Sequence, residues 1–217
     1  MKNILHVGCG GQDIRSMPSY FQDGAWSEIR FDIDPNANPD IQGELQDLSL
    51  IEDACIDVVY SSHNIEHVSA FEVSMVLKGF RRVLKDDGFA LILCPDIQSV
   101  AQAMLAGHLE EPLYHSSAGP INALDIVYGH QKAIQQGQVY MAHKTAFTAE
   151  TLAKHLLNSG FSQVCVVRDV VFGLHAIAFV SMPDEAGLNK LAEALFPARE
   201  NIVQSLIFPG INVVSDI

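Results

Sequence analysis

Apolar and polar positions fall into blocks along the chain, and the period of the pattern changes from block to block. Ile4–Val7 is a short apolar run that stops at Gly8-Cys9-Gly10-Gly11, as a strand running into a turn does. Ser27–Phe31 predicts a second strand, halted where Asp32-Ile33-Asp34 meets Pro35, because proline cannot continue the ladder. Between them, Gln12–Trp26 shows weak helical periodicity with Pro18 in its middle, so a short or irregular crossover is expected. A very short strand near Ile41 follows a loop marked by Pro35 and Pro39, and Ile56–Ser61 predicts the next full strand. Phe71, Met75, Leu77, Val83 and Leu84 recur at near-helical spacing, with Lys85-Asp86-Asp87-Gly88 expected to end that helix. Phe89–Cys94 is almost wholly apolar and closes at Pro95-Asp96, the signature of a central parallel strand covered on both faces.

The second half is less regular. Ile97–Leu105 predicts a helix stopped at Gly107, and 107–147 then mixes Gly, Pro, His and Tyr without a steady period. A connection of that length in a compact domain tends to carry function. Thr148-Ala149-Glu150 opens a helix with Leu152, Leu156 and Leu157 on its apolar face, ended by Gly160. Phe161–Val171 and Leu174–Ser181 predict two strands around Phe172-Gly173, and Asp184–Leu195 a last helix. Phe196–Ile217 holds apolar residues such as Ile207, Phe208 and Val213 and is expected to pack on something. The sum is an α/β chain with a mostly parallel sheet flanked by helices and an antiparallel pair at the C-terminal end of the sheet. We read 1–217 as one domain, with an insertion at 107–147 on the acceptor side and a helix plus tail at 184–217. Right-handed crossovers set the loops after the parallel strands along one rim, where open sheets bind ligands.

Composition narrows the partners. The chain has 217 residues and a formal net charge of −13, from 26 acidic and 13 basic residues. A surface this acidic repels phosphate backbones and anionic membranes, so nucleic acid is not expected as a partner. No apolar run approaches the roughly 18 residues of a membrane span, and the start lacks a signal peptide's apolar stretch. Cys9, Cys55, Cys94 and Cys165 are scattered, with no C-x-x-C pair, and read as reduced thiols of a cytoplasmic protein. The apolar tail raises a homodimer as one arrangement.

The candidate chemistry lies at the strand ends. Gly8, Gly10 and Gly11 sit where a ligand must approach backbone closely, which glycine permits; a plain glycine turn is the bland alternative. A dinucleotide fingerprint would need glycine at 13, where Asp13 stands, and an acid beside that loop disfavours a pyrophosphate. Asp32, about 20 residues past the glycines, can accept from both hydroxyls of a ribose. Asp34 is an alternate, and turn capping the bland reading of either. Asp47-Leu48 could serve an adenine, the carboxylate accepting from its amine. His63-Asn64-Ile65-Glu66-His67 spells H-x-x-E-H, the inverted zincin pattern, but it stands at a strand end with no further acidic ligand in view. Glu66 and His67 are read instead as beginning a helix and holding the loop by hydrogen bonds, and no metal is expected. In the insertion, Tyr114, His115, Asp125, Tyr128, His130, Tyr140, His143 and Lys144 could face an acceptor, with His143 preferred and His130 second.

Leu5–Gly10, Phe31–Pro35, Gly43–Leu48 and Asp57–Val68 occur in order, and together they resemble the successive motifs of class I S-adenosylmethionine-dependent methyltransferases. Phe80–Phe89 is similar to that family's helix-turn-strand, and Leu157–Phe161 to its later helix end. The resemblance implies a Rossmann-like sheet, S-adenosylmethionine as cofactor, and methyl transfer to an acceptor that the sequence does not name, a small molecule or a saccharide or lipid precursor being expected before nucleic acid. By it, Gly8 and Gly10, with Cys9 between them, line the methionine part. Asp32 with Ile33 holds the ribose, and Asp47-Leu48 the adenine. Ser62 and His63 lie near the sulfonium and the acceptor, and His63 or His143 is the candidate general base. Gln12 stands where many members carry a third glycine, and the stunted first crossover is a second departure. Two other readings stand beside this one: a non-catalytic cofactor-binding or scaffold protein, and a nicotinamide-dependent oxidoreductase.

Overall fold

The structure is a computed structural model, and it describes residues 1–209 apart from 117, 197, 199 and 200. The part of the tail that includes Val213 lies outside the described residues. In chain order the first half contains β1 (Lys2–Val7), β2 (Trp26–Asp32), β3 (Ile41–Gln42), β4 (Ile56–Ser62), α1 (Val73–Val83), β5 (Leu84–Pro95) and α2 (Ile97–Leu105). The insertion supplies β6 (Tyr114–Ser116), β7 (Gly119–Ile121), α3 (Ala123–Tyr128) and α4 (Gln131–Gln135). The chain then continues through α5 (Ala149–Asn158), β8 (Gln163–Asp169), β9 (Gly173–Phe179), α6 (Glu185–Leu195) and β10 (Ile202–Pro209). Eight strands form one sheet in the order β10-β8-β9-β5-β4-β1-β2-β3, with β6 and β7 as a separate hairpin.

From β3 to β5 every pairing is parallel, and from β5 to β10 every pairing is antiparallel. Period-two alternation divides the strands between two cores. Leu5, Val7, Val59, Ala90 and Ile92 face the apolar sides of α1 and α5. Ile4, Val58, Tyr60, Leu91 and Ile177 face Met17, Phe21, Trp26 and Leu195 on the other side. Burial on both faces is why β1, β4 and β5 read as nearly continuous apolar runs.

The first crossover is short and irregular as expected, with no α-helix but 3-10 turns at Ile14–Ser16 and Ser19–Phe21, whose Phe21 fills the second core. The structure differs from the sequence reading in three places. Lys85–Gly88 is not a turn after a helix but a bulge inside β5: Ile56 pairs with Leu84 and Val58 already with Phe89. Glu66 and His67 do not begin a helix. They lie in a 3-10 turn at Ile65–His67, and α1 starts at Val73. The antiparallel end has a third strand, because Val164–Phe208 pairing continues into the tail as β10 on the edge.

Several local signals act as read. Thr148 caps α5 through a capping box with Thr151, and Asp184 caps α6. The 107–147 stretch is better ordered than its mixed period implied, since its hairpin and α3 close a small core of Val100, Ile121, Ala123 and Ile126. No helix among the described residues is long and apolar enough to cross a membrane.

Candidate functional site

Parallel pairing aligns the C-terminal ends of the strands. Val7 is level with Phe31 on β2 and with Ser61 on β4, so the residues just beyond these positions meet at one rim. There a cavity of about 500 Å³ opens, within the usual range for small-ligand sites. Its floor is Gly8, Gly10 and Gly11, and one wall is Asp32, Ile33 and Asp34. Glu44, Leu45 and Gln46 stand after β3, and His63, Asn64 and His67 after β4. The insertion closes the remaining side with Gln138, Tyr140, Met141 and Lys144.

The glycine turn has a steric cause. Gly8 has φ +62°, and a Cβ there would lie 2.7 Å from Asn64 Nδ2, closer than real contacts allow. Asn64 uses that nitrogen to donate to Val7 O at 2.7 Å, locking the loop after β4 onto the end of β1. Its Oδ1 is buried and accepts no hydrogen bond among the described residues. Asp32 is only 7% exposed. Gly10 N–H donates to its Oδ2 at 2.7 Å and Asp34 N–H to its Oδ1 at 2.8 Å. Two bonds leave acceptor capacity on a carboxylate, which has about four lone-pair sites.

Arg30, which the sequence reading passed over, holds this rim together. Its guanidinium donates to Gln12 O (3.1 Å) and Gly10 O (2.7 Å) on the glycine loop. On the loop after β2 it donates to Asn38 O (2.8 Å) and Ala37 O (2.9 Å). A lone Arg in a strand carries no sequence mark of such a role. Asp13, by contrast, does not line the cavity. Its hydrogen bonds to the Arg15 side chain and N–H hold its carboxyl down at about 2, so its charge is spent locally. The acids that do line the cavity are Asp32, Asp34 and Glu44.

The structure brings Gly8, Gly10, Gly11, Asp32, Ile33, Asp34, His63, Tyr140 and Lys144 to one cavity, and leaves Cys9, Asp47, Leu48, Ser62 and His143 outside its lining. Cys9 lies beneath the loop at 2% exposure, where burial pushes its thiol up to about 11. Ser62 is half-buried beside the rim. Asp47-Leu48 is a correction. Asp47 points to solvent and accepts from Ser49 N–H, and Leu48 is core packed with α1. The chain reaches the cavity three residues earlier, at Glu44-Leu45. Tyr140 and Lys144 reach the cavity from the insertion. Asp125 instead caps α3, and His130 stands at the start of α4.

His63 adopts φ +52°, a left-handed conformation uncommon outside glycine that often marks functional positions. Its Nδ1 is 3.6 Å from Glu66 Oε1. Enclosure in the cleft lowers its pKa, and the Glu66 carboxylate outweighs this and raises it. His143 faces inward, with its side chain 11% exposed. Its Nδ1 bonds Ile126 O at 2.7 Å, and its ring meets that of His67 edge-on, centroids 4.8 Å apart. Glu66 itself is 1% exposed. Its carboxylate does not hold the loop by hydrogen bonds, because neither oxygen has a hydrogen-bond partner among the described residues. Its backbone oxygen does, accepting from Lys144 N–H and Thr145 N–H.

Residues 5–92 match the family described as a methyltransferase domain. No curated protein matches the sequence. Solved structures share the fold at low identity. A Pyrococcus horikoshii protein is 13% identical over 82% of this chain and 81% of its own, with a TM-score of 0.56. A SAM-dependent methyltransferase from Archaeoglobus fulgidus is 14% identical over 82% and 85%, with a TM-score of 0.53. One from Methanosarcina mazei is 16% identical over 81% and 91%, also at 0.53. The matched segment contains the glycine loop, Asp32 and His63. Residues 5–92 thus resemble the methyltransferase-domain family, and over about four fifths of its length the chain shares the fold of these solved structures.

Proposed function

We propose that this chain, working as one domain, methylates a small-molecule acceptor. The methyl donor would sit on Gly8, Gly10 and Asp32, and the acceptor would enter beside His63 under the 107–147 insertion. The residues present fit the donor. Asp32 keeps free lone pairs toward the cavity for ribose hydroxyls, and Asn64 Oδ1 is a buried acceptor without a donor among the described residues, as a ligand ammonium would require. Three carboxylates on the lining, Asp32, Asp34 and Glu44, favour a cationic ligand and disfavour a diphosphate. When bound, S-adenosylmethionine supplies a methyl carbon activated by its sulfonium charge. The protein's task is then placement, and His63 is the group positioned to accept a proton from a hydroxyl or amine acceptor. Glu66 behind it favours the charged ring. His143, away from the lining, is not assigned that role. Four free cysteines, three of them buried, suit a reducing cytoplasm.

The single observation that carries this reading is the buried Asp32 carboxylate, oriented by two backbone N–H groups at the end of β2. Thermal-shift and calorimetric titration test it: S-adenosylhomocysteine should stabilise the protein by mass action and NAD should not. Stabilisation by NAD alone would replace this reading with a nicotinamide enzyme. For the acceptor, a labelled methyl donor offered to fractionated metabolites should give one labelled product. His63→Ala should then slow its formation by about 10²–10⁴-fold, and an unchanged rate would remove His63 as the base.

A further inference from the structure

At the edge of the cavity, where His67 reaches its lining, three ligand-type side chains from two distant parts of the chain converge. One donor atom each from Glu66, His67 and His143 lies within 4.8 Å of the others. The tautomers are constrained. His67 Nδ1 faces Ala142 O at 3.1 Å, and His143 Nδ1 faces Ile126 O at 2.7 Å. A carbonyl only accepts, so each Nδ1 carries the proton and each neutral ring keeps its lone pair on Nε2. Between them stands Glu66, 1% exposed, with neither oxygen hydrogen-bonded among the described residues and His63 Nδ1 no nearer than 3.6 Å. Three acceptors thus meet with no donor among them. Leaving a buried carboxylate without hydrogen bonds is costly, and a bound cation resolves it.

We propose that Glu66, His67 and His143 bind one divalent first-row transition metal, zinc foremost, which clasps the insertion to the sheet rim. Two imidazoles and a carboxylate are a common zinc and iron donor set. The backbone carbonyls on the two Nδ1 atoms are the outer partners that metal-binding histidines normally have. Bond lengths near 2.1 Å put neighbouring ligand atoms about 3–3.5 Å apart, so closure needs a shift of roughly 1 Å. His143 Nε2 is already 3.9 Å from Glu66 Oε1. The H-x-x-E-H pattern contributes only its second half, with His143 taking the place of a sequence-adjacent histidine. His63, whose Nδ1 is 3.6 Å from Glu66 Oε1 on the cavity side, borders the fourth position. The clasp would join the loop after β4 to the segment after α4, which are otherwise held by backbone bonds from Lys144 and Thr145.

The test uses tag-free full-length protein stripped with a chelator and titrated with zinc alone by calorimetry. Cobalt spectra report nitrogen ligation. The expected result is one saturable zinc per chain, a raised melting temperature, and a cobalt ligand-field spectrum typical of few-coordinate sites. Even outer-shell changes at such sites cost about 10–100-fold, so Glu66→Gln and His143→Asn should each weaken zinc by about 100-fold or more. His130→Asn, outside the cluster, should leave it unchanged. Circular dichroism and S-adenosylhomocysteine titration on the same samples report folding and the cofactor site separately. Folded variants that bind zinc as tightly as the parent overturn the proposal, as does a parent with no saturable binding. Loss of S-adenosylhomocysteine affinity with zinc binding intact would count against the proposed function and leave the metal site standing.

Discussion

The cavity has two unlike halves. The sheet-built wall, from Gly8 through Asp32 to Asn64, hangs on strand ends whose relative heights are fixed by parallel ladders running up to Val7, Asp32 and Ser62. The insertion-built wall, from Gln138 to Lys144, hangs on a hairpin of three-residue strands, a six-residue α3 and a five-residue α4. The first wall is held from behind by a packed core, whereas the second is held by a few point contacts. These include Lys144 and Thr145 N–H on Glu66 O, His67 on Ala142 O and edge-on to the His143 ring, and Tyr140 on Asp34. One close approach adds to them. Gly129, at φ +94°, lets Met141 O come where a Cβ would be 2.0 Å away. A rigid half suited to a constant ligand and a lightly tethered half suited to a variable one is how loops on a scaffold divide labour. Substitutions in the two walls should therefore separate cofactor affinity from acceptor affinity.

The largest separation is expected at Asp32. Hydrogen bonds to a charged group contribute about 1.5–3 kcal/mol each, so Asp32→Ala should weaken S-adenosylhomocysteine on the order of 100-fold by calorimetry. It also strips acceptors from Gly10 and Asp34 N–H, and Asp32→Asn, which keeps one oxygen, should lose less. Equal affinity in all three proteins would show that the sheet wall does not grip the ribose.

Arg30 comes next. Arg30→Ala removes four bonds tying the glycine loop to the loop after β2, and about tenfold weaker cofactor binding with a lower melting temperature is expected. Arg30→Lys should not restore either, because an ammonium cannot span the fork of donors. Full rescue by lysine would mean that the charge alone matters there.

The antiparallel end offers a pH-dependent contrast. Asp169 accepts from Val171 N–H, Gly173 N–H and His175 Nε2, shaping the turn whose Phe172 stacks on Tyr114 of the insertion hairpin. Burial pushes its carboxyl up, but the His175 and backbone bonds outweigh that and hold it below its ordinary value. A carboxylate depressed in the folded state stabilises above its unfolded pKa, near 3.9, and that contribution fades as pH falls through the lowered folded value. Asp169→Asn should thus cost about 1–3 kcal/mol in urea unfolding at pH 7, with the gap to the parent narrowing below about pH 4. A gap independent of pH would assign the loss to packing.

How far the sequence could be read follows the same division. Ile4–Val7, Ile56–Ser61 and Phe89–Cys94 are strands because burial on both faces demands unbroken apolar runs, and Thr148 and Asp184 announce helices by local capping. Those signals are short-range. Asp47-Leu48 was misplaced because solvent-facing and cavity-facing positions alternate within a few residues after β3, and only the register Asp32↔Gln42 decides which ones turn inward. The insertion carries no period because its elements are shorter than the window that makes periodicity visible. The convergence of His143 on Glu66 and His67 spans more than 70 residues, which no local pattern can encode.

The smallest effect should come from Tyr140, and it is the sharpest probe of whether the two walls are independent. Its hydroxyl donates to Asp34 Oδ2 at 3.0 Å, the bond by which the insertion reaches across the cavity to the sheet wall. The pair is exposed, so solvent leaves its net contribution small. Tyr140→Phe should raise the KM for the acceptor a few-fold, while leaving S-adenosylhomocysteine affinity within about twofold. Asp34→Asn should do the same, and the double variant should match either single one, since both remove one shared bond. If Tyr140→Phe instead weakens the cofactor and spares the acceptor, the insertion is a lid over the donor and the division drawn between the walls fails.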